Sequence, residues 1–420
     1  MAPSSLPRAS RSADSVIADL AALRSSDVKW SEGRAFGMVY DGGPGVHEVA
    51  ERAAAMYLHE NALNTKAFPS LARIQSDVVS WTASLLHGPD SAAGFMTSGG
   101  TESIQVAVLA ARERARTERG VTEPEMVISD TTHAAFHKSA HMFGITVHKV
   151  PCRADFTADV DAMAARVNDN TVLVVASAPQ YPHGVIDPVP RIAELAASVD
   201  ANCHVDACMG GFVLPFAEML GSDVEPWDFR VDGVHSISAD IHKLGYAPKG
   251  ASVIVYRNRE LRAHQTFVFS DWLGGFYASP NLQGTRSGLP MATAWAVMSF
   301  LGVEGYLDLT RRTLDTADAI RAAVRSIDGL TVLGDPRFHL LSIASDSMSK
   351  HPIDAFALGD ALLERGWFHD RQSPPDTLHA TVSNSNVDHL DEYLRDLREC
   401  AEIVRGSRAD DRSTNYSTLE

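Results

Sequence analysis

The chain has 420 residues, of which 45% are hydrophobic and 21% charged, with 29 glycines and 20 prolines; these globular proportions exclude the disordered, collagen-like and disulfide-scaffold classes. Lys and Arg number 37 against 53 Asp and Glu, a net charge of −16 that disfavours nucleic acid and anionic lipid as partners. Apolar runs stay below the roughly 18 residues that a membrane-spanning helix requires, and the four cysteines (Cys152, Cys203, Cys208, Cys400) lack C-x-x-C spacing, so reduced thiols, no metal and a cytoplasmic setting are expected.

Residues 1–13 are polar and contain no apolar core, which predicts a short arm rather than a secretory signal. Strands are predicted at 126–129, 145–150, 171–178, 203–206, 234–238 and 252–256, with helices near 101–119, 133–143, 159–167 and 188–200. The run from Thr171 to Ala176 is apolar on both faces, as in strands covered by helices on two sides. Such alternation predicts an α/β fold with a mostly parallel sheet. The aromatic-rich stretch Phe267 to Tyr277 reads as core, with the wall of an apolar channel as the alternative. Beyond Pro290 come helices near 290–303 and 306–327, a strand pair within 330–345, helix 353–366, a strand near 377–383 and helix 387–404. That order predicts a smaller α+β domain, and 406–420 reads as a flexible tail.

Four constellations carry chemistry. Thr97-Ser-Gly-Gly-Thr-Glu-Ser103 opens a helix, and its two glycines let hydroxyls and helix N–H groups converge as a phosphate requires. It is neither a Walker A loop nor G-x-G-x-x-G, and a capped helix after a tight turn would read the same way. Cys203-His-Val-Asp-Ala207 places Asp206 at the carboxyl end of a buried strand, where open α/β sheets bind ligands. A protonated ring nitrogen would offset the cost of burying that carboxylate, although a helix-capping Asp is the plainer alternative. Lys243 follows His242 in the polar turn between Ser236 and Gly250, poised to form a Schiff base with a carbonyl cofactor rather than to lie solvated as most lysines do. His133 opens a helix and, alone, would pass for a cap. In this order, a phosphate cup, a ring to stack, an acid for a ring nitrogen and an amine for an aldehyde describe one ligand, pyridoxal 5′-phosphate.

The segments Thr97–Ser103, Ala178–Pro190, His204–Phe212, Ser236–Gly250, Asp271–Pro280 and Gln283–Gly288 resemble sphingosine-1-phosphate lyases of the soluble bacterial type, in the group II pyridoxal-phosphate decarboxylase family, and the similarity runs from about residue 30 to 400. The resemblance implies a fold-type-I (aspartate aminotransferase-like) enzyme, homodimeric, with active sites shared between subunits. It implies an arm and helical segment over 1–60 at the dimer interface, a cofactor-binding domain over 61–305, a small domain over 306–405 and a tail over 406–420. Lys243 matches the cofactor-carrying lysine, Asp206 the acid at the pyridine nitrogen and His133 the stacked histidine. Gly100, Thr101, Ser238 and His242 match the phosphate grip. Thr285 and Arg286 match residues that reach the partner subunit's site. Lys249 and, from the neighbouring chain, Tyr40 are expected at the substrate phosphate, and Tyr181 at the substrate hydroxyl.

Three positions depart from the family pattern. Asn64, in Asn61-Ala-Leu-Asn64, stands where the family commonly has a histidine, so it brings a hydrogen-bond donor without a charge. Asp41 replaces an aromatic residue after Tyr40, and Leu244 replaces a tyrosine after Lys243. The implied activity is retro-aldol cleavage of sphingosine 1-phosphate, or a related phosphorylated long-chain base, to a fatty aldehyde and phosphoethanolamine. The competing readings are an amino-acid decarboxylase, an aldolase-type lyase for a non-sphingoid β-hydroxy amine, and a cofactor-binding protein without catalysis.

Overall fold

The structure is a computed structural model that describes residues 5–414; the outermost parts of both expected tails, 1–4 and 415–420, lie outside the described residues. The short apolar runs form a seven-stranded sheet. Its strands are β1 (Ala93–Thr97), β2 (Glu125–Ser129), β3 (Thr146–Val150), β4 (Thr171–Ser177), β5 (Asn202–Asp206), β6 (Val234–Ala239) and β7 (Ser252–Tyr256), in the spatial order β1-β7-β6-β5-β4-β2-β3. Only β7 runs against its neighbours. Successive side chains of β4 serve opposite faces. Leu173 and Val175 join one apolar cluster with the helices Gly100–Arg119 and Ala135–Phe143, while Val174 and Ala176 join another with the helix Val189–Ser198. That two-sided cover explains why every residue of β4, β5 and β7 is buried.

The strand β1 carries too little pattern to be read from sequence: five residues, one of them Gly94, on the sheet edge. The glycine is required there, because a Cβ would stand 2.2 Å from the Ile254 carbonyl oxygen. The aromatic stretch is not core. It forms a hairpin, β8 (Phe267–Phe269) and β9 (Tyr277–Ser279), with Phe267, Val268, Phe269, Trp272, Leu273 and Phe276 exposed.

A helical run, Gly288–Ser326, leads out of the large sheet and breaks at Gly302 (φ 53°), so it matches the two helices expected there. The second sheet comprises β10 (Leu330–Val332), β11 (Leu340–Ser345), β12 (Asp370–Gln372) and β13 (Thr377–Thr381), in the antiparallel order β10-β11-β13-β12. Residues of the helices Ala355–Glu364 and Leu390–Ile403 close a separate core on it, and Phe36 enters that core from the N-terminal segment. The stretch after Gly406 is held rather than free as far as Arg412. That guanidinium pairs with Asp354 and Asp376 and covers the Phe356 ring, and Arg371 donates to the Asp411 carbonyl. Among the described residues no helix is long and apolar enough to cross a membrane.

Candidate active site

Since β1, β5 and β6 run in the same direction, their carboxyl ends share one edge of the sheet, the position at which such folds bind ligands. β1 delivers the glycine cup, β5 delivers Asp206, and β6 runs into the turn bearing Asp240, His242 and Lys243. With His133 they line one cavity of about 300 Å³.

The cup is braced from within. Ser98 donates both its N–H and its hydroxyl to Glu102 Oε2, each at 2.7 Å, and the Thr97 and Ser103 hydroxyls meet at 2.6 Å. Those hydroxyls are therefore occupied, which leaves the start of the helix and Thr101 at the rim to receive an anion. Both glycines lie against the opposite wall. A Cβ at Gly100 would stand 2.7 Å from Asp240 Oδ2 and from Cys208 Sγ, and one at Gly99 would stand 3.1 Å from His242 Cε1.

Asp206 is buried, and its Oδ1 accepts from the Cys208 N–H (3.1 Å) and the Ser238 hydroxyl (3.4 Å). Ser238, expected at the phosphate, is itself fully buried, between Asp206 and the His204 ring (Nε2 to Oγ, 3.2 Å). Burial brings His204 down to about pKa 4, so it supports Asp206 as a neutral ring. His133 is likewise lowered, first by burial, with Asp206 pulling the other way. Its Nδ1 accepts from the Ala135 N–H at 3.1 Å, and an uncharged imidazole suits it to lie against an aromatic ligand.

Sequence reasoning missed Asp240. Its Oδ2 lies 3.0 Å from Lys243 Nζ and 3.6 Å from His242 Nε2, and its side chain is 1% exposed. Burial alone would raise this carboxyl, but Lys243 and His242 together hold it well below the usual carboxylate range. Its Oδ1 meets no hydrogen-bond donor among the described residues. His242 Nδ1 accepts from the Gly250 and Ala251 N–H groups, both at 3.2 Å, so its proton is on Nε2, toward Asp240. The signal was present as an Asp-x-x-Lys spacing, which sets acid and amine on one side of a turn.

The residues expected at the substrate fall into groups. Lys249 Nζ lies over the Tyr40 ring of its own chain at 4.7 Å and donates to the His242 carbonyl at 3.1 Å. Although much of that residue is exposed, desolvation of its amine and the nearby Lys243 charge lower its pKa to about 8. Tyr181 stands edge-on to His133 and donates to Asp370 Oδ2 at 3.2 Å. Arg286 is turned inward, onto Gln75 Oε1 (3.2 Å) and the Met96 carbonyl (3.3 Å). Asn64 folds its Oδ1 back to the Lys66 N–H at 3.0 Å, and Thr285 is exposed; neither lines the cavity around Lys243.

An anion cup, a buried acid, a neutral imidazole and an amine facing one cavity are the donor set that pyridoxal 5′-phosphate requires, and the glycine cradle keeps the space its phosphate would take. Comparison with known proteins agrees. The profile of the pyridoxal-dependent decarboxylase conserved domain matches residues 1–342. The chain is similar to the sphingosine-1-phosphate lyase of Oryza sativa subsp. japonica, 40% identical over 400 residues, covering 93% of this chain and 73% of that protein. The structure of the Burkholderia pseudomallei K96243 sphingosine-1-phosphate lyase superposes with a TM-score of 0.92 at 38% identity, covering 96% of this chain and 94% of that one. A Lactobacillus brevis glutamate decarboxylase shares the fold, with a TM-score of 0.84 at 21% identity over 96% of this chain and 95% of its own. With profile, sequence and site in agreement, the chain belongs to the pyridoxal-dependent decarboxylase family, among its sphingosine-1-phosphate lyases.

Proposed function

We propose that this chain cleaves the Cα–Cβ bond of a phosphorylated long-chain β-hydroxy amine, sphingosine 1-phosphate or a close relative, to a fatty aldehyde and phosphoethanolamine. The observation that carries this reading is the 40% identity to a lyase along nearly the whole chain, against 21% to a decarboxylase of the same fold. Bound pyridoxal 5′-phosphate supplies an aldehyde for the substrate amine and a protonated ring that takes up the electron pair of the broken bond.

The chain's own residues arrange that chemistry. Lys243 is the amine that holds the cofactor aldehyde. Asp206 keeps a proton on the ring nitrogen. His133 covers the ring, and the helix start at Gly100–Thr101 holds the phosphate. Tyr181 is the group we assign to the proton of the substrate hydroxyl. Lys249, with Tyr40 beneath it, receives the substrate phosphate. Its lowered pKa has a signed consequence. The ammonium is present below about pH 8 and is lost above it, so KM for the phosphorylated substrate should rise through pH 8 while kcat changes little. Lys249→Arg, which stays charged, should remove the rise. A KM that is flat across this range in the unaltered enzyme would discard Lys249 as the phosphate ligand.

The deciding assay incubates purified protein with sphingosine 1-phosphate and with amino acids. Aldehyde and phosphoethanolamine from the first support the lyase; carbon dioxide from the second alone would make it a decarboxylase.

The same proposal includes a cytoplasmic homodimer. Its support is the four unpaired cysteines and two exposed apolar features, the β8–β9 hairpin and Ile17, Leu20 and Leu23 on the helix Ala13–Leu23. Exposure on this scale is uncommon on a solitary subunit. Sedimentation at the mass of one chain, or recovery outside the cytoplasm on fractionation, would refute the corresponding part.

A further inference from the structure

We propose that Asp370 positions Tyr181 and draws off its proton when the phenol takes the substrate's hydroxyl proton. The proposal rests on the lyase reading above and deepens it.

The two residues come from different sheets. Tyr181 is on the turn that follows β4, while Asp370 opens β12. The bond from the phenol to Asp370 Oδ2, at 3.2 Å, joins positions 189 residues apart. The phenol ring is fixed from two sides, tilted on His379 of β13 with centroids 4.1 Å apart and edge-on to His133 at 6.5 Å. Asp370 is 9% exposed. Behind it passes Gly37, where an added Cβ would lie 3.8 Å from Asp370 Oδ2. Tyr181 and Asp370 line a cavity of about 490 Å³. His133 is common to the walls of this cavity and of the Lys243 cavity.

A phenol that donates to a carboxylate presents its oxygen lone pairs to the incoming ligand. The substrate O–H proton can then pass to the Tyr181 oxygen as the phenol proton passes to Asp370. The C–O bond becomes a carbonyl, the Cα–Cβ bond breaks, and its electron pair stays with the amine-bearing half. Asp370 holds the proton until the aldehyde leaves. Burial raises this carboxyl above its ordinary range against the opposing pull of the Tyr181 bond, as befits a group that must take up a proton.

Other titratable groups surround the pair. Burial holds His379 near pKa 3 and His183 and His369 near 4, so these three rings are neutral above about pH 5, and burial also lowers His133. Cys152 is raised to about 11. Asp130 is engaged by the Cys152 N–H at 3.0 Å, the Arg371 guanidinium is turned to Asp360 and the Asp411 carbonyl, and Lys149 lines the same wall.

The experiment compares Asp370→Asn, Asp370→Glu and Tyr181→Phe in the cofactor-loaded enzyme. Asp370→Asn should lower kcat about a hundredfold with KM within a factor of two, and should flatten the acid limb of the kcat–pH profile. Asp370→Glu should recover part of kcat together with that limb. A second readout needs no turnover: phenolate absorbance, taken as the difference from Tyr181→Phe, should titrate at lower pH in Asp370→Asn because the opposing carboxylate is gone. If Tyr181→Phe is inactive while Asp370→Asn keeps its kcat and pH profile, the Asp370 proposal is overturned and the role of Tyr181 stands. If Asp370→Asn loses activity with the acid limb and phenol titration unmoved, Asp370 is only structural and the proposal is likewise overturned. Full activity in Tyr181→Phe removes the assignment of Tyr181 and the relay with it. Should Asp370→Asn fail to fold, the pH profile and phenol titration of Asp370→Glu decide in the same way.

Discussion

Lys243→Ala should have no measurable turnover and none of the visible absorbance of the bound cofactor. Among the described residues that line the cavity of the cup, Asp206 and His133, Lys243 brings the only amine, and an imine with an aldehyde needs one. The substitution also strands Asp240, whose carboxylate is 1% exposed and has its main counter-charge 3.0 Å away on Lys243. Leaving such a carboxylate uncompensated costs about 3 kcal/mol or more, so denaturant midpoints should fall as well. The double variant Lys243→Ala with Asp240→Asn should recover the stability without the activity. Borohydride reduction of the unaltered enzyme, followed by peptide mapping, should place the covalent cofactor label on residue 243. Turnover by purified Lys243→Ala, or a label elsewhere, would refute the assignment.

Asp206→Asn should load cofactor yet turn over about 10²–10³-fold more slowly, the loss typical when one preorganised charge at the reacting centre is removed. The amide can still accept from the Cys208 N–H and Ser238 hydroxyl that hold Asp206 now, so the fold should persist. What the amide lacks is the negative charge that keeps a proton on the ring nitrogen. The loss should therefore fall on kcat, with KM little changed. An unchanged kcat would mean that the ring nitrogen is neutral during the reaction, or that another acid serves it.

Much of this was legible in the sequence because the signals were local. Apolar runs marked β4, β5 and β7 most plainly, where burial on both faces leaves little room for polar residues. The cup, Asp206 and Lys243 stand at strand ends, so placing the strands placed the chemistry. The less legible parts depend on partners distant in the chain. β1 is a glycine-bearing edge strand whose identity depends on β7, and β12 reads Asp-Arg-Gln with no apolar residue. The weight of Asp370 follows from a tyrosine 189 positions earlier. Ser238 was misplaced for a related reason: strand register sets it beside Asp206, beneath the site rather than within it. The expected core at Phe267–Tyr277 failed because hydrophobicity alone does not say which chain covers a residue.

The two sheets divide the work, and the division bears on how such a catalyst changes over time. Everything assigned to the vitamin-derived group, from the cup to Lys243, is anchored at one rim of the seven-stranded sheet, with Asp206 and Ser238 in adjacent register. Asp370 belongs to the four-stranded sheet, and Tyr40 to the segment that sends Phe36 into that sheet's core. Substitutions in the smaller half can therefore alter the proton handling assigned to Asp370 and the contact made by Tyr40 while leaving in place the residues that would grip the cofactor.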